Sequence, residues 1–146
     1  MSENVKLQLK QFIKAKPEKC FEAWTNPELM KKWYAPGEMF VPKASSDPKV
    51  GGSYLVEMKG EMNGQQVNPT AEGKYTKIIP NELVAFTWKW QHDSGPETLV
   101  TVEFKAVDGG TEVILTHERF PSSDARDRHQ HGWNGCLVNL AKFLSH

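Results

Sequence analysis

At 146 residues the chain is long enough for one domain with its own core and needs no metal or disulfide staple. Lysine plus arginine equals aspartate plus glutamate at 18 each, with no basic run, so the charge term that dominates nucleic-acid binding is missing and nucleic acid is not expected as a partner. MSENVKLQLK has no apolar stretch behind its charges, and no window approaches the roughly 18 apolar residues of a membrane span, so no membrane insertion is expected.

Val5, Leu7 and Leu9 alternate with Lys6, Gln8 and Lys10, the period of a half-buried strand. Pro17 suits the first turn of a short helix carrying Phe21, Ala23 and Trp24. Asn26-Pro27 ends it and opens a second one, with Leu29, Met30 and Trp33 on its apolar face and Ala35-Pro36-Gly37 at its close. A series of strands follows. Met39 to Ala44 comes first, then Asp47-Pro48 and Gly51-Gly52 as punctuation, then Tyr54, Val56 and Met58 on one face. Asn63-Gly64 is the strongest hairpin signal, and a strand from about Thr70 to Ile79 pairs back. After Pro80-Asn81, Val84, Phe86, Trp88 and Trp90 share one strongly aromatic face. The loop 92–96 leads to Val100, Val102 and Phe104, and Asp108-Gly109-Gly110 leads to Val113, Leu115 and His117. Seven strands are expected in all.

The stretch from Ser122 to Ser145 predicts the longest helix. Trp133, Leu137, Leu140 and Leu144 recur at spacings of four, three and four, which places them on one stripe, with His129 on that stripe and His131 opposite. Ser122, Ser123 and Asp124 supply oxygens for the first turn, and Lys142 faces the negative end of the dipole. Gly132 and Gly135 are costly inside a helix, so a nearby sheet or bound molecule is expected to use the missing side chains. An antiparallel sheet of this size has one apolar face to cover, and this helix is the element long enough to cover it. The fold class is therefore α+β, with a curved antiparallel sheet of about six to seven strands wrapped around the final helix and two short helices after the first strand. Residues 1–146 form a single domain.

Several segments, in order, resemble the START-like, or SRPBCC, superfamily with its helix-grip fold, and more closely the subfamily named after the activator of heat shock protein 90 ATPase. They are Ala15-Lys16-Pro17-Glu18-Lys19, Phe21-Glu22-Ala23-Trp24-Thr25-Asn26-Pro27-Glu28, Trp33-Tyr34-Ala35-Pro36, Val50-Gly51-Gly52-Ser53-Tyr54, Gly73-Lys74-Tyr75, Pro80-Asn81-Glu82-Leu83-Val84, Gly110-Thr111 and Gly132-Trp133. The resemblance implies a cavity between sheet and long helix that holds lipids, polyketides or other apolar small molecules in various members and supports catalysis in a few. It brings no shared catalytic motif. Asn26 stands where the family usually has Asp, and Cys20 where it has a valine-like residue.

The expected wall of that cavity comes from Trp33, Tyr54 and Met58 in the first part of the chain and from Trp88, Trp90, Phe120 and Trp133 in the second. Aromatic residues at strand spacing are ordinarily core, yet Trp and Tyr carry polar handles that want partners when buried. His117, inward beside Val113 and Leu115, is the catalytic candidate, against the plainer reading of a core histidine with satisfied hydrogen bonds. His129 approaches it across the pocket, and Arg126 either holds an anionic ligand group at the mouth or extends to water. No metal or cofactor is expected, because His117 and Glu118 diverge on a strand and His129 and His131 diverge on a helix. Cys20 and Cys136 lack metal or CxxC spacing and read as small core thiols in a reducing, cytoplasmic compartment. The leading expectation is binding of an apolar, aromatic or lipid-like small molecule by a monomer or weak homodimer. A cyclase- or hydrolase-type enzyme using the same cavity is the first alternative. The second, a chaperone ATPase-regulating module, follows from the family name alone.

Overall fold

Period-two alternation builds most of the structure, a computed structural model that describes residues 5–35, 39–62, 64–91 and 97–144. Among these residues the chain runs β1 (Val5–Ile13), α1 (Pro17–Thr25), α2 (Pro27–Met30), β2 (Phe40–Ser46), β3 (Ser53–Met62), β4 (Gln65–Val67), β5 (Thr70–Ile79), β6 (Leu83–Trp90), β7 (Thr98–Val107), β8 (Gly110–Phe120) and α3 (Ser123–Leu144). Seven strands lie side by side in the order β1-β8-β7-β6-β5-β3-β2, all antiparallel, and β4 pairs with β3 beyond this path. The sheet curls around α3 in the helix-grip arrangement that the resemblance implies. β1 and β2 are the edges, and α1 and α2 connect them.

The strand faces are those the alternation predicts. On β7, Val100, Val102 and Phe104 are buried while Glu103 and Lys105 are exposed; on β8, Val113, Leu115 and His117 are buried between more open neighbours. One irregularity matters for the site. Arg119 adopts a φ of 70°, and the pairing of β8 with β1 shifts register between Val5 and Leu7. This bulge turns Phe120 inward, only three residues after His117, where unbroken alternation would have turned it away.

The helix ends form as their capping residues require. Asn26 Oδ1 accepts the Glu28 N–H at 3.0 Å, and Pro17 and Pro27 occupy the first turns of α1 and α2. Ser122 Oγ accepts the Ala125 N–H at 3.1 Å at the start of α3. On α3 the stripe of Trp133, Leu137 and Leu140 is buried, Leu144 is half-buried, and Val138 on the outer side is 40% exposed. The sheet half of the expectation for Gly132 is corrected: a methyl group built there meets nothing within 4 Å among the described residues, so the sheet does not use the missing side chain. Pro36, Gly37, Asn63, the loop 92–96 and Ser145, which the sequence assigns to turns and to the helix end, lie outside the described residues.

Candidate functional site

His117 is wholly buried. The Trp133 indole N–H donates to its Nδ1 at 3.0 Å, and since an indole nitrogen can only donate, Nδ1 holds the lone pair. The proton of the neutral ring is therefore on Nε2, which donates to Thr98 Oγ1 at 2.6 Å, and the Thr98 hydroxyl donates onward to the Trp88 carbonyl at 3.1 Å. This relay uses every polar atom of the ring. A second proton would set an imidazole N–H against an indole N–H. Burial pushes the His117 pKa well below the ordinary histidine value, with the neighbouring His129 acting in the same direction. The geometry is that of a core histidine with satisfied hydrogen bonds, and it leaves no lone pair with which to take a substrate proton.

His129, one turn before Trp133, is half-buried. Its Nδ1 donates to the Ala125 carbonyl at 2.7 Å, and its Nε2 accepts the Trp90 indole N–H at 3.0 Å. The two imidazoles meet edge to face at 5.2 Å between centroids, and Phe120 covers both, 4.2 Å from His117 and 5.0 Å from His129. The bulge at Arg119 thus puts Phe120 over the histidine pair.

Around this polar thread lies a continuous shell of rings. Trp88 lies 5.0 Å from Trp133 and 5.2 Å from Trp90, and stacks nearly parallel to Tyr34 at 6.4 Å. Trp24 packs on Trp33 at 4.5 Å, on Tyr34 at 5.6 Å and on Trp133 at 5.8 Å. Through Phe86, 6.4 Å from Trp24, the network reaches Tyr54 at 5.0 Å. Met58 is buried in the same apolar cluster. The structure thus brings together the expected wall residues and both histidines. Arg126 stands apart: its side chain is 35% exposed and pairs with the adjacent Asp127 at 3.1 Å.

Trp24, Tyr34, Phe86 and Thr98 belong to this shell and were not among the expected site residues. Tyr34 was findable beside Trp33, and Phe86 beside Trp88, whereas nothing in the sequence distinguishes Thr98 from other strand threonines. The polar handles of the shell divide into two groups. Trp33 donates to the Ala23 carbonyl at 3.0 Å and Tyr54 to the Thr87 carbonyl at 2.5 Å. The indole N–H groups of Trp24 and Trp88 are buried with no acceptor among the described residues. Each such orphan donor costs about 1–3 kcal/mol. Burial holds the phenols of Tyr34 and Tyr54 well above the usual tyrosine pKa, so both stay protonated.

An open surface groove of about 490 Å³ runs along Leu9, Asp127, Gln130, His131 and Asn134, and shares no lining residue with the aromatic shell. Among the described residues no three His, Cys, Asp or Glu side chains come together in a metal-holding group, and no helix is long and apolar enough to cross a membrane.

A family model described as Activator of Hsp90 ATPase homolog 1-like protein matches residues 14–145. Among solved structures, a protein of Chromobacterium violaceum is similar over 97% of each chain at 23% identity, with a TM-score of 0.85. The AHSA1 protein of Silicibacter pomeroyi is similar at 26% identity over 97% of this chain and 98% of its own, with a TM-score of 0.83. An AHSA1-like protein of Aeromonas hydrophila, solved in solution, is similar at 24% identity over 97% of this chain and 92% of its own, with a TM-score of 0.78. None of the curated proteins matches the chain.

Proposed function

Because the chain belongs to the Activator of Hsp90 ATPase homolog 1-like protein family, we propose that it binds an apolar aromatic small molecule between α3 and the sheet. One observation carries this reading: the ring shell is assembled from three separately mounted units. Trp24, Trp33 and Tyr34 come from the α1–α2 segment and its end, Trp88 and Trp90 from β6, and Trp133 from α3. A planar molecule entering between these units exchanges ring–ring contacts for ring–ligand contacts of the same kind, each worth about 0.5–1.5 kcal/mol beyond area burial. Polar ties join the units at Asn139 to the Ala35 carbonyl, 2.8 Å, and at Trp90 to His129, 3.0 Å.

The engaged nitrogens of His117 favour binding over cyclase or hydrolase chemistry, since a general base needs a free lone pair within reach of the proton it takes. The free, buried thiols of Cys20 and Cys136 support a cytoplasmic setting. Screening the melting temperature against aromatic compounds tests the reading. A ligand at about 100 times its dissociation constant adds roughly 2.7 kcal/mol to the folded state, and a native mass spectrum of the purified protein should show a bound molecule. Trp133→Ala should weaken the shift. The reading fails if no aromatic compound shifts the transition, and the chaperone-regulating alternative replaces it if chaperone ATPase activity is stimulated and charge reversal on the outer sheet face abolishes the stimulation.

A further inference from the structure

β1 is an edge of the sheet, and among the described residues its one strand neighbour is β8. The surface groove of about 490 Å³ has Leu9 of β1 on one side and Asp127, Gln130, His131 and Asn134 of α3 on the other. Among the described residues β8 contributes nothing to this lining, so the groove lies on the side of β1 away from β8. An edge strand presents a row of main-chain N–H and C=O groups with no strand to receive them. An open groove beside such a row has room for the side chains of one added strand.

The side chains along that edge divide by face. Lys6, Gln8, Lys10 and Phe12 alternate on the outer face of β1 and are exposed, and β1 contains no carboxylate. Gln8 donates to Thr116 Oγ1 at 3.1 Å, Lys10 stands opposite Ile114, and Glu112 stands two residues further along, opposite Phe12. Neither Lys6 nor Lys10 is in an ion pair among the described residues. The two lysines are four strand positions apart, roughly 13 Å along one face. The groove side differs: it offers exposed amides and an imidazole, and its carboxylate, Asp127, is paired with Arg126 at 3.1 Å. A second copy of β1 brings more lysines to the outer face, whereas an acidic strand brings the opposite charge.

From the edge, the groove and the two lysines we infer that β1 is a docking edge for an extended acidic peptide segment of another protein. The segment carries carboxylates four positions apart, one beside Lys6 and one beside Lys10. Its alternate residues are neutral and hydrogen-bonding, and they enter the groove toward Gln130, His131 and Asn134. Main-chain bonds to β1 supply the attachment, and the two faces supply the selection. The docking edge shares no lining residue with the aromatic shell and does not depend on the small-molecule reading.

The peptide acetyl-TETVTET-amide has this pattern, and acetyl-TKTVTKT-amide reverses its charge. Each is titrated, up to on the order of millimolar, into the full chain labelled with nitrogen-15. The acidic peptide should bind on the order of tenfold more tightly than the basic one and lose affinity severalfold between low salt and about 0.15 M ionic strength. It should shift the resonances of residues 6–12 and of Gln130, His131 and Asn134 without moving the Trp133 indole. Main-chain pairing has its own signature: alternate amides of β1, those facing away from β8, should exchange with deuterated water more slowly in the complex. Lys6→Glu combined with Lys10→Glu, both on an exposed face, should reverse the preference toward the basic peptide. Absence of binding by the acidic peptide, equal binding of the two peptides, or shifts confined to other surfaces overturns the proposal. So does concentration-dependent slowing of the same amides with no peptide present, which would assign the edge to a second copy of the chain.

Discussion

Two parts of α3 face the same sheet with different chemistry. At Leu137 and Leu140 the helix contributes aliphatic side chains, at most 1% exposed, to the core that also holds Val84, Val100, Val102, Val113 and Leu115. One and two turns earlier, at Trp133 and His129, it meets rings tied by directed hydrogen bonds through His117, Thr98 and Trp90. The aliphatic part asks only for volume, because its contacts have no direction. The aromatic part asks for particular atoms at particular places, and it holds the indole donors of Trp24 and Trp88, buried without an acceptor among the described residues. On the proposed small-molecule reading, the first region serves stability and the second selects the ligand.

The sharpest way to break this comparison is to delete volume from the aliphatic part. Leu140→Ala should lower the unfolding free energy by about 2–5 kcal/mol in urea titration, whereas Val138→Ala on the outer side of the same helix should cost less than about 0.5 kcal/mol. Equal losses would refute the face assigned to α3.

A smaller effect distinguishes the aromatic part by its response to pH. His117 has a folded-state pKa well below its unfolded value of about 6.5, so between the two the unfolded chain binds the extra proton and the folded one does not. Its contribution is fully present above about pH 6.5 and is lost as pH falls toward the depressed folded pKa, by at most about 1.4 kcal/mol per pH unit. His117→Gln, which can still accept from Trp133 and donate to Thr98, should flatten this slope. Leu140→Ala should displace the whole curve and leave its slope unchanged. An unaltered slope in His117→Gln would assign the pH dependence elsewhere.

The smallest expected change is a gain. Since a side chain at Gly132 meets open space, Gly132→Ala should stabilise the protein by about 0.5–1 kcal/mol through helix propensity alone. A loss in thermal denaturation would mean that the glycine serves a contact outside the described residues.

Much of the fold was legible because apolar periodicity reports burial directly. Inward faces on β3, β6, β7 and β8 and the stripe on α3 were readable from Tyr54, Trp88, Val102, Leu115 and Leu140. β4 was not, since Gln65-Gln66-Val67 is too short and too polar to show alternation. In the site, the inward position of His117 followed from parity, but its role did not: the Trp133 and Thr98 contacts are long-range pairings that no local pattern encodes. Trp24 read as helix packing, because a residue on a nine-residue helix gives no hint of which sheet residue it meets. The inward turn of Phe120 depends on a non-glycine residue at positive φ, and arginine is not a residue from which sequence reading would predict one.

The sheet order also fixes a sequence of events during synthesis. β1 is made before every other described strand, yet its one neighbour among the described strands is β8, whose residues lie about a hundred positions later. Until Gly110–Phe120 has emerged, the segment VKLQLKQFI has no native edge to join, and an unpaired alternating strand is a template for association with other chains. Lys6 and Lys10, both exposed on the outward face of β1, place like charges on such associations throughout that interval. The earliest strand of the sheet is thus the last to be secured, and its lysines guard it while it waits.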